Sequence, residues 1–187
     1  MTSSIAESWA RIEAWLVRHA PVTYANLAPP ADPGSLAATE EVIGMTMPGP
    51  LAESLLLHDG TGLRTLLPSG WYLLSAEDIA RTWSLRTEIA GSDADGIQDS
   101  TPSEFGPWWN RHWIPFASFG NGDDLVIDQF GRIGDASHET GCHFDAHPMW
   151  SSFPELFAHV AAALETGATL DRYEWVIDDG ELDWEIL

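Results

Sequence analysis

The stretch WIPFASFGNGDDLVID, residues 113–128, organises the reading of the whole chain. Its two ends, Trp113 to Ala117 and Leu125 to Asp128, are rich in aromatic, β-branched and other apolar residues, the composition of strands that pack in a sheet. Between them Gly120, Asn121 and Gly122 turn the chain at low steric cost, so the spacing predicts a hairpin. The carboxylates Asp123, Asp124 and Asp128 raise calcium as an alternative, because its sites collect oxygen ligands along a loop. The spacing is not that of an EF-hand, and a tight turn with acidic flanks is the simpler reading.

Toward the C-terminus, Ser152 and Glu155 form a capping box. Phe153, Leu156, Phe157, Val160 and Leu164 then make a broad apolar stripe that ends before Gly167, predicting a helix. Beyond it Tyr173, Trp175 and Ile177 alternate with polar residues, Asp179 and Gly180 turn the chain, and Leu182, Trp184 and Ile186 alternate again. This predicts a hairpin near residues 172–187 with one apolar face. Glu174, Asp178, Asp183 and Glu185 fall on its other face, so that edge is densely negative.

Toward the N-terminus, Ser4 with Glu7 caps a helix from about Ile5 to His19, carried by Ile5, Trp9, Ile12 and Leu16 and broken by Pro21. The segment from Pro21 to Gly34 holds three more prolines and reads as an extended connector. Short helices follow at Leu36 to Ile43, ending at Gly44, and after Pro48, with Leu51 and Leu55 inward and Gly60 as the stop. Tyr72 to Leu74 is a brief strand, and Ser75 with Asp78 starts a helix bearing Ile79 and Trp83. Residues 91–106, rich in Ser, Asp and Gly, read as an exposed acidic loop.

Composition narrows the function. With 187 residues and 44% hydrophobic content, one domain spanning 1–187 is expected, with apolar area enough to order it. The formal net charge is -21, from 29 acidic residues against 8 arginines and no lysine. Such a chain repels phosphate backbones and anionic membranes and attracts basic proteins, although a solvated surface tuned for solubility is the plain alternative. Cys142 is the only cysteine, which excludes an internal disulfide and favours a reducing, cytoplasmic setting. No basic residue precedes Arg11 and no segment reaches the length of a membrane span, so a soluble, unexported protein is expected.

Catalytic chemistry has few footholds. If residues 143–147 are extended, His143, Asp145 and His147 share one face beside His138 and Cys142, which would suit a metal-dependent hydrolase. The spacing follows no familiar zinc pattern and no catalytic base is identifiable, so no metal and no cofactor are expected. His58-Asp59-Gly60 reads as a helix cap before it reads as an acid/base pair. A phosphate-cradling loop with a lysine is impossible in a chain without lysine. Among ten tryptophans, Trp9, Trp83, Trp113, Trp175 and Trp184 fall on inward faces, whereas Trp108, Trp109 and Trp150 lie outside clear periodicity.

The order of these pieces resembles the SUKH superfamily, which includes the Smi and Knr fungal cell-wall regulators and many bacterial immunity proteins of polymorphic toxin systems. The pieces are Trp9-x2-Ile12-Glu13-x-Trp15-Leu16, Leu27-x-Pro29-Pro30-Ala31, Glu40-x2-Ile43-Gly44-x2-Met47-Pro48, His58-Asp59-Gly60, Trp113 to Ala117, Gly120-x-Gly122-Asp123, Asp128, and His138-Glu139 before the Phe153 helix. The resemblance implies an α+β fold, a mixed and mainly antiparallel sheet with helices packed around it. It also implies a non-catalytic protein-binding role: an immunity protein that neutralises a basic toxin domain such as a nuclease, or a housekeeping regulator of the Smi/Knr type. Charge density places the contact at Asp123, Asp124, Asp128, Glu174, Asp183 and Glu185, with Trp108 and Trp109 as aromatic anchors. The acidic loop and the terminal hairpin have no counterpart in the resemblance.

Overall fold

In a computed structural model, residues 4–92, 107–144 and 150–187 are described. Helices α1 (Ile5–His19), α2 (Pro21–Ala25), α3 (Pro33–Ile43) and α4 (Gly49–Leu57) come first, followed by β1 (Tyr72–Leu73) and α5 (Ala76–Ala90). Strands β2 (Ile114–Ser118), β3 (Asp124–Ile127), β4 (Ile133–Ser137) and β5 (Gly141–His143) precede α6 (Phe153–Thr166) and the final pair β6 (Tyr173–Asp178) and β7 (Glu181–Ile186). The protein is α+β. Strands β1 to β5 form one antiparallel sheet in sequence order, and β6 with β7 forms a second, two-stranded one.

The caps account for the helix ends. Ser4 Oγ accepts the Glu7 N–H and Glu7 returns a carboxylate to the Ser4 N–H, a complete capping box on α1. Ser152 Oγ accepts only the Glu155 N–H; the Glu155 carboxylate turns instead to Ser151. The segment expected as an extended connector contains α2, because Pro21 stands at the first helical position, where a missing N–H costs nothing. For the same reason α3 starts at Pro33, with Asp32 accepting the Gly34 N–H at 2.8 Å, and not at Leu36.

Helix α4 stops at Leu57, not at Gly60. Gly60 has φ +82° and lies against the link from β1 to α5, where a Cβ would fall 2.8 Å from both Leu73 O and Ser75 N. Asp59 likewise acts at long range: its Oδ1 accepts the Ala76 N–H at 2.7 Å, holding the start of α5.

Strand β3 alternates between two cores. Leu125 and Ile127 join the main one, formed with Trp9, Ile12, Leu16, Phe116 and Phe157, while Val126 joins a second with Trp109, Trp113, Ala136 and Cys142. Both faces of the sheet are therefore covered, and β2 and β3 are buried throughout. Pro115 fits an interior strand because the ladder is irregular between Pro115 and Ala117 and the short β1 reaches only Ala117 and Ser118.

The terminal hairpin forms as the alternation requires, with Trp175 opposite Trp184 and Ile177 opposite Leu182. Asp179 and Gly180 both have positive φ, the geometry of a two-residue turn that matches strand twist. Its apolar face is only partly covered. Leu182 and Trp184 are buried, Tyr173 and Trp175 half-buried, and Ile177 and Ile186 are exposed. Trp184 Nε1 donates to Leu66 O, Trp175 Nε1 to Ala163 O, and the Leu182 N–H to Thr23 Oγ1, so the hairpin is pinned to the body.

Candidate protein-binding face

The acidic residues singled out in the sequence divide into two groups. Asp124 is 3% exposed and its Oδ2 accepts from Arg86 Nη2 at 2.7 Å and Nε at 3.1 Å, which ties β3 to α5. Asp128 is 4% exposed; its Oδ1 accepts the N–H groups of Phe130 and Arg132, and its Oδ2 accepts from Arg132 Nε at 2.8 Å. Asp124 braces strand against helix and Asp128 braces the turn between β3 and β4, and neither is a surface charge. Asp123 is partly covered. Burial alone would push its carboxyl up, but hydrogen bonds from the His138 backbone and ring and from the Asn121 amide together hold it below the usual carboxylate range.

Glu174, Asp183 and Glu185 are exposed on the outer face of the terminal hairpin. Antiparallel register sets Glu174 directly across from Glu185, with Asp183 beside Val176 on the same face. Among the described residues none of the three has an ion-pair partner. Directly opposed like charges are mildly destabilising, so this pair holds unneutralised potential at the surface.

Near the turn of this hairpin lies a hollow of about 300 Å³ lined by Asp178, Asp179, Glu181 and Asp183, with Arg64 and Leu63 on the facing loop. Arg64 pairs with Glu181, which leaves three carboxylates without a cation, and Leu63 is 82% exposed at the rim. The hollow has the charge to receive a lysine or arginine side chain. Arg64 and Leu63 were not legible in the sequence, since they sit in a loop without periodicity more than a hundred positions from their neighbours.

The aromatic candidates separate too. Trp109 is buried, donates its Nε1–H to Thr87 Oγ1 at 3.0 Å and meets Trp113 edge-on, so it is core. Trp108 is half-buried beneath the Arg86 guanidinium, 5.3 Å from its ring centre. Trp150 is buried as well.

For catalysis, His143 lies at the end of β5 with Nε2 3.2 Å from Thr140 O, while Asp145 and His147 lie outside the described residues. Among the described residues no three metal-ligating side chains converge. Most of the acidic loop, residues 93–106, also lies outside them. The Cys142 thiol is driven far up by burial and by the nearby charges of Asp135 and Asp128, which leaves it protonated and inert as a nucleophile. His58 is held at both ring nitrogens, Nδ1 by Ala28 O at 2.8 Å and Nε2 by Glu13 Oε1 at 2.9 Å, with Trp9 packed on its ring. It brackets α1, the end of α4 and the proline-rich link together.

Helices packed about an antiparallel sheet, with polar clusters serving as internal braces, define an α+β protein. The profile of the SMI1/KNR4 family (SUKH-1) matches residues 30–159, and the chain belongs to that family. It is 25% identical over 201 residues to the cell wall biosynthesis/cell cycle regulator smi1 of Schizosaccharomyces pombe, an alignment that takes in 95% of this chain and 38% of that protein. The chain thus spans well under half the length of that relative. Among the described residues no helix is long and apolar enough to cross a membrane.

Proposed function

We infer that the protein is a non-catalytic binding module whose partner is a basic protein, met by the outer face of the terminal hairpin. The observation that supports this best is the opposition of Glu174 and Glu185, exposed, unpaired among the described residues and flanked by Asp183. Cationic side chains of a partner would relieve that repulsion and, with a net charge of -21 behind it, would be steered in at a rate raised roughly 10 to 1,000-fold over a neutral encounter. The hollow at the hairpin turn offers a seat for one such side chain, with Leu63 as an apolar rim contact.

Within the family, the role that suits this charge is immunity: a cytoplasmic protein that covers the basic groove of a cognate toxin domain, such as a nuclease, with carboxylates where phosphates would lie. Co-purification with any toxin-domain effector that a neighbouring gene encodes tests this. A complex that inhibits the effector and weakens at high salt supports the reading; an effector that neither binds nor loses activity removes it.

The similarity to a cell wall and cell cycle regulator favours a second reading, a regulatory interaction protein that binds an endogenous enzyme or scaffold. The two separate on one observation. Deletion of the gene harms growth only while a cognate effector is present in the first case, and alters growth without any effector in the second.

A further inference from the structure

The chain has eight arginines, and six of them face a carboxylate: Arg11, Arg64, Arg81, Arg86, Arg132 and Arg172. Arg111 has an interaction of its own. Arg18 has no ion-pair partner among the described residues. Arg18 is exposed, so water solvates its guanidinium and leaves it available to a ligand.

Arg18 lines a cleft of about 430 Å³ between the second half of α1 and the end of α6. Its neighbours there include Arg11, His19, Glu165, Trp15 and Trp175. Arg11 forms a two-pronged bond to Glu165, Nε to Oε1 at 2.9 Å and Nη2 to Oε2 at 2.5 Å, so the one carboxylate in the lining is already neutralised. What remains is the positive charge of Arg18 beside His19, over an aromatic floor. Trp15 stacks on His19 with centroids 4.8 Å apart and meets Trp175 edge-on at 4.8 Å. Trp175 is only half-buried, and its Nε1–H is spent on Ala163 O, so its exposed part presents ring and not a donor.

Arg18 and His19 also stand in the last turn of α1, where cations favourably meet the helix dipole. That explains a basic residue in the turn. It does not explain a concave, locally cationic surface with a tryptophan wall on a chain that is negative elsewhere.

We propose that the cleft formed by Arg18, His19, Trp15 and Trp175 binds an aromatic carboxylate, with the guanidinium of Arg18 on the carboxylate and the ring against Trp175. The planar fork of arginine matches a carboxylate's two oxygens, and the volume lies within the range of small-ligand pockets. A singly charged head is preferred over a phosphate, because every further negative charge works against the field of the whole protein. The same chemistry is presented by a free aromatic acid and by a peptide chain ending in an aromatic residue. The inference stands apart from the basic-partner reading, since it uses a different surface and the opposite charge.

The test is titration of the intact protein, followed by calorimetry and by the indole N–H resonances of Trp15 and Trp175, with four probes: phenylacetate, acetate, a short peptide ending in phenylalanine, and its C-terminal amide. Binding of phenylacetate, of the free-acid peptide, or of both supports the proposal, and their ranking tells a free acid from a chain end. Acetate and the amide should bind at least about tenfold more weakly. Arg18→Glu should abolish binding and Arg18→Gln weaken it, while Arg81→Glu, which changes the net charge by the same amount on an exposed site, should leave it intact. Equal binding of the amide, an equal loss in Arg81→Glu, or no response of either indole to either free acid at millimolar concentration would overturn it.

Discussion

The guanidinium of Arg86, on α5, reaches Asp124, on β3, with Nη2 2.7 Å from Oδ2, and both side chains are almost wholly withdrawn from water. Arg86 also donates to Gly122 O and lies over the Trp108 ring. The pair fastens the hairpin that carries the 113–128 stretch to the helix beside it.

Because the pair is buried, removing one member strands the other. Asp124→Asn is expected to lower unfolding stability by about 3–5 kcal/mol, whereas the double change Arg86→Met with Asp124→Leu should restore most of the loss. Urea midpoints of wild type and the two variants decide it, and a mild effect of Asp124→Asn alone would show the pair to be hydrated.

The N-terminal helix and α6 could be read nearly to the residue because their caps are local: Ser4 with Glu7, Ser152 with Glu155. Strands β4 and β5 left no such trace. Gly134 in β4 sits where a Cβ would come 2.8 Å from Cys142 Sγ and from the Phe144 ring, so packing demands the smallest residue where alternation would show a large one. Pro21 does end α1, but Pro21 and Pro33 also open helices where an extended connector is expected. At the candidate face the alternation placed Glu174, Asp183 and Glu185 on one side of the hairpin. The acidic run at 123–128 could not be sorted, because the partner that buries Asp124 lies 38 positions away in sequence.

Gly60 is a position where the fold admits no side chain. Gly60→Ala combines a left-handed φ with a clash against backbone at 2.8 Å, and neither contact is the end of a flexible group. A loss of at least about 1–3 kcal/mol is expected from the strain alone, read as a fall in the thermal midpoint; a neutral result would mean that the link from β1 to α5 moves freely.

Acidification should be felt at Asp123. Its carboxyl is held below the ordinary range by His138 and Asn121, so the stability it contributes is fully present above the unfolded value near 3.8 and is lost as pH falls through the lower folded one. Wild type and Asp123→Asn, compared by urea unfolding, should therefore converge in stability below about pH 4 and diverge above it. Parallel curves at all pH values would contradict the hydrogen-bonded carboxylate.

The opposed glutamates make a prediction that needs no partner. Glu185→Lys turns a like-charge pair into an attractive one and should stabilise the free protein by about 0.2–1 kcal/mol. Destabilisation would show that the repulsion at this face is already relieved from within.

The same substitution should weaken partner binding, and the central claim is best tested there. Stopped-flow association with the basic partner recovered by co-purification should slow steeply with salt for wild type, and should slow further and lose part of its salt dependence when Glu174, Asp183 and Glu185 are all changed to lysine. An association rate indifferent to both the triple substitution and ionic strength would contradict the account.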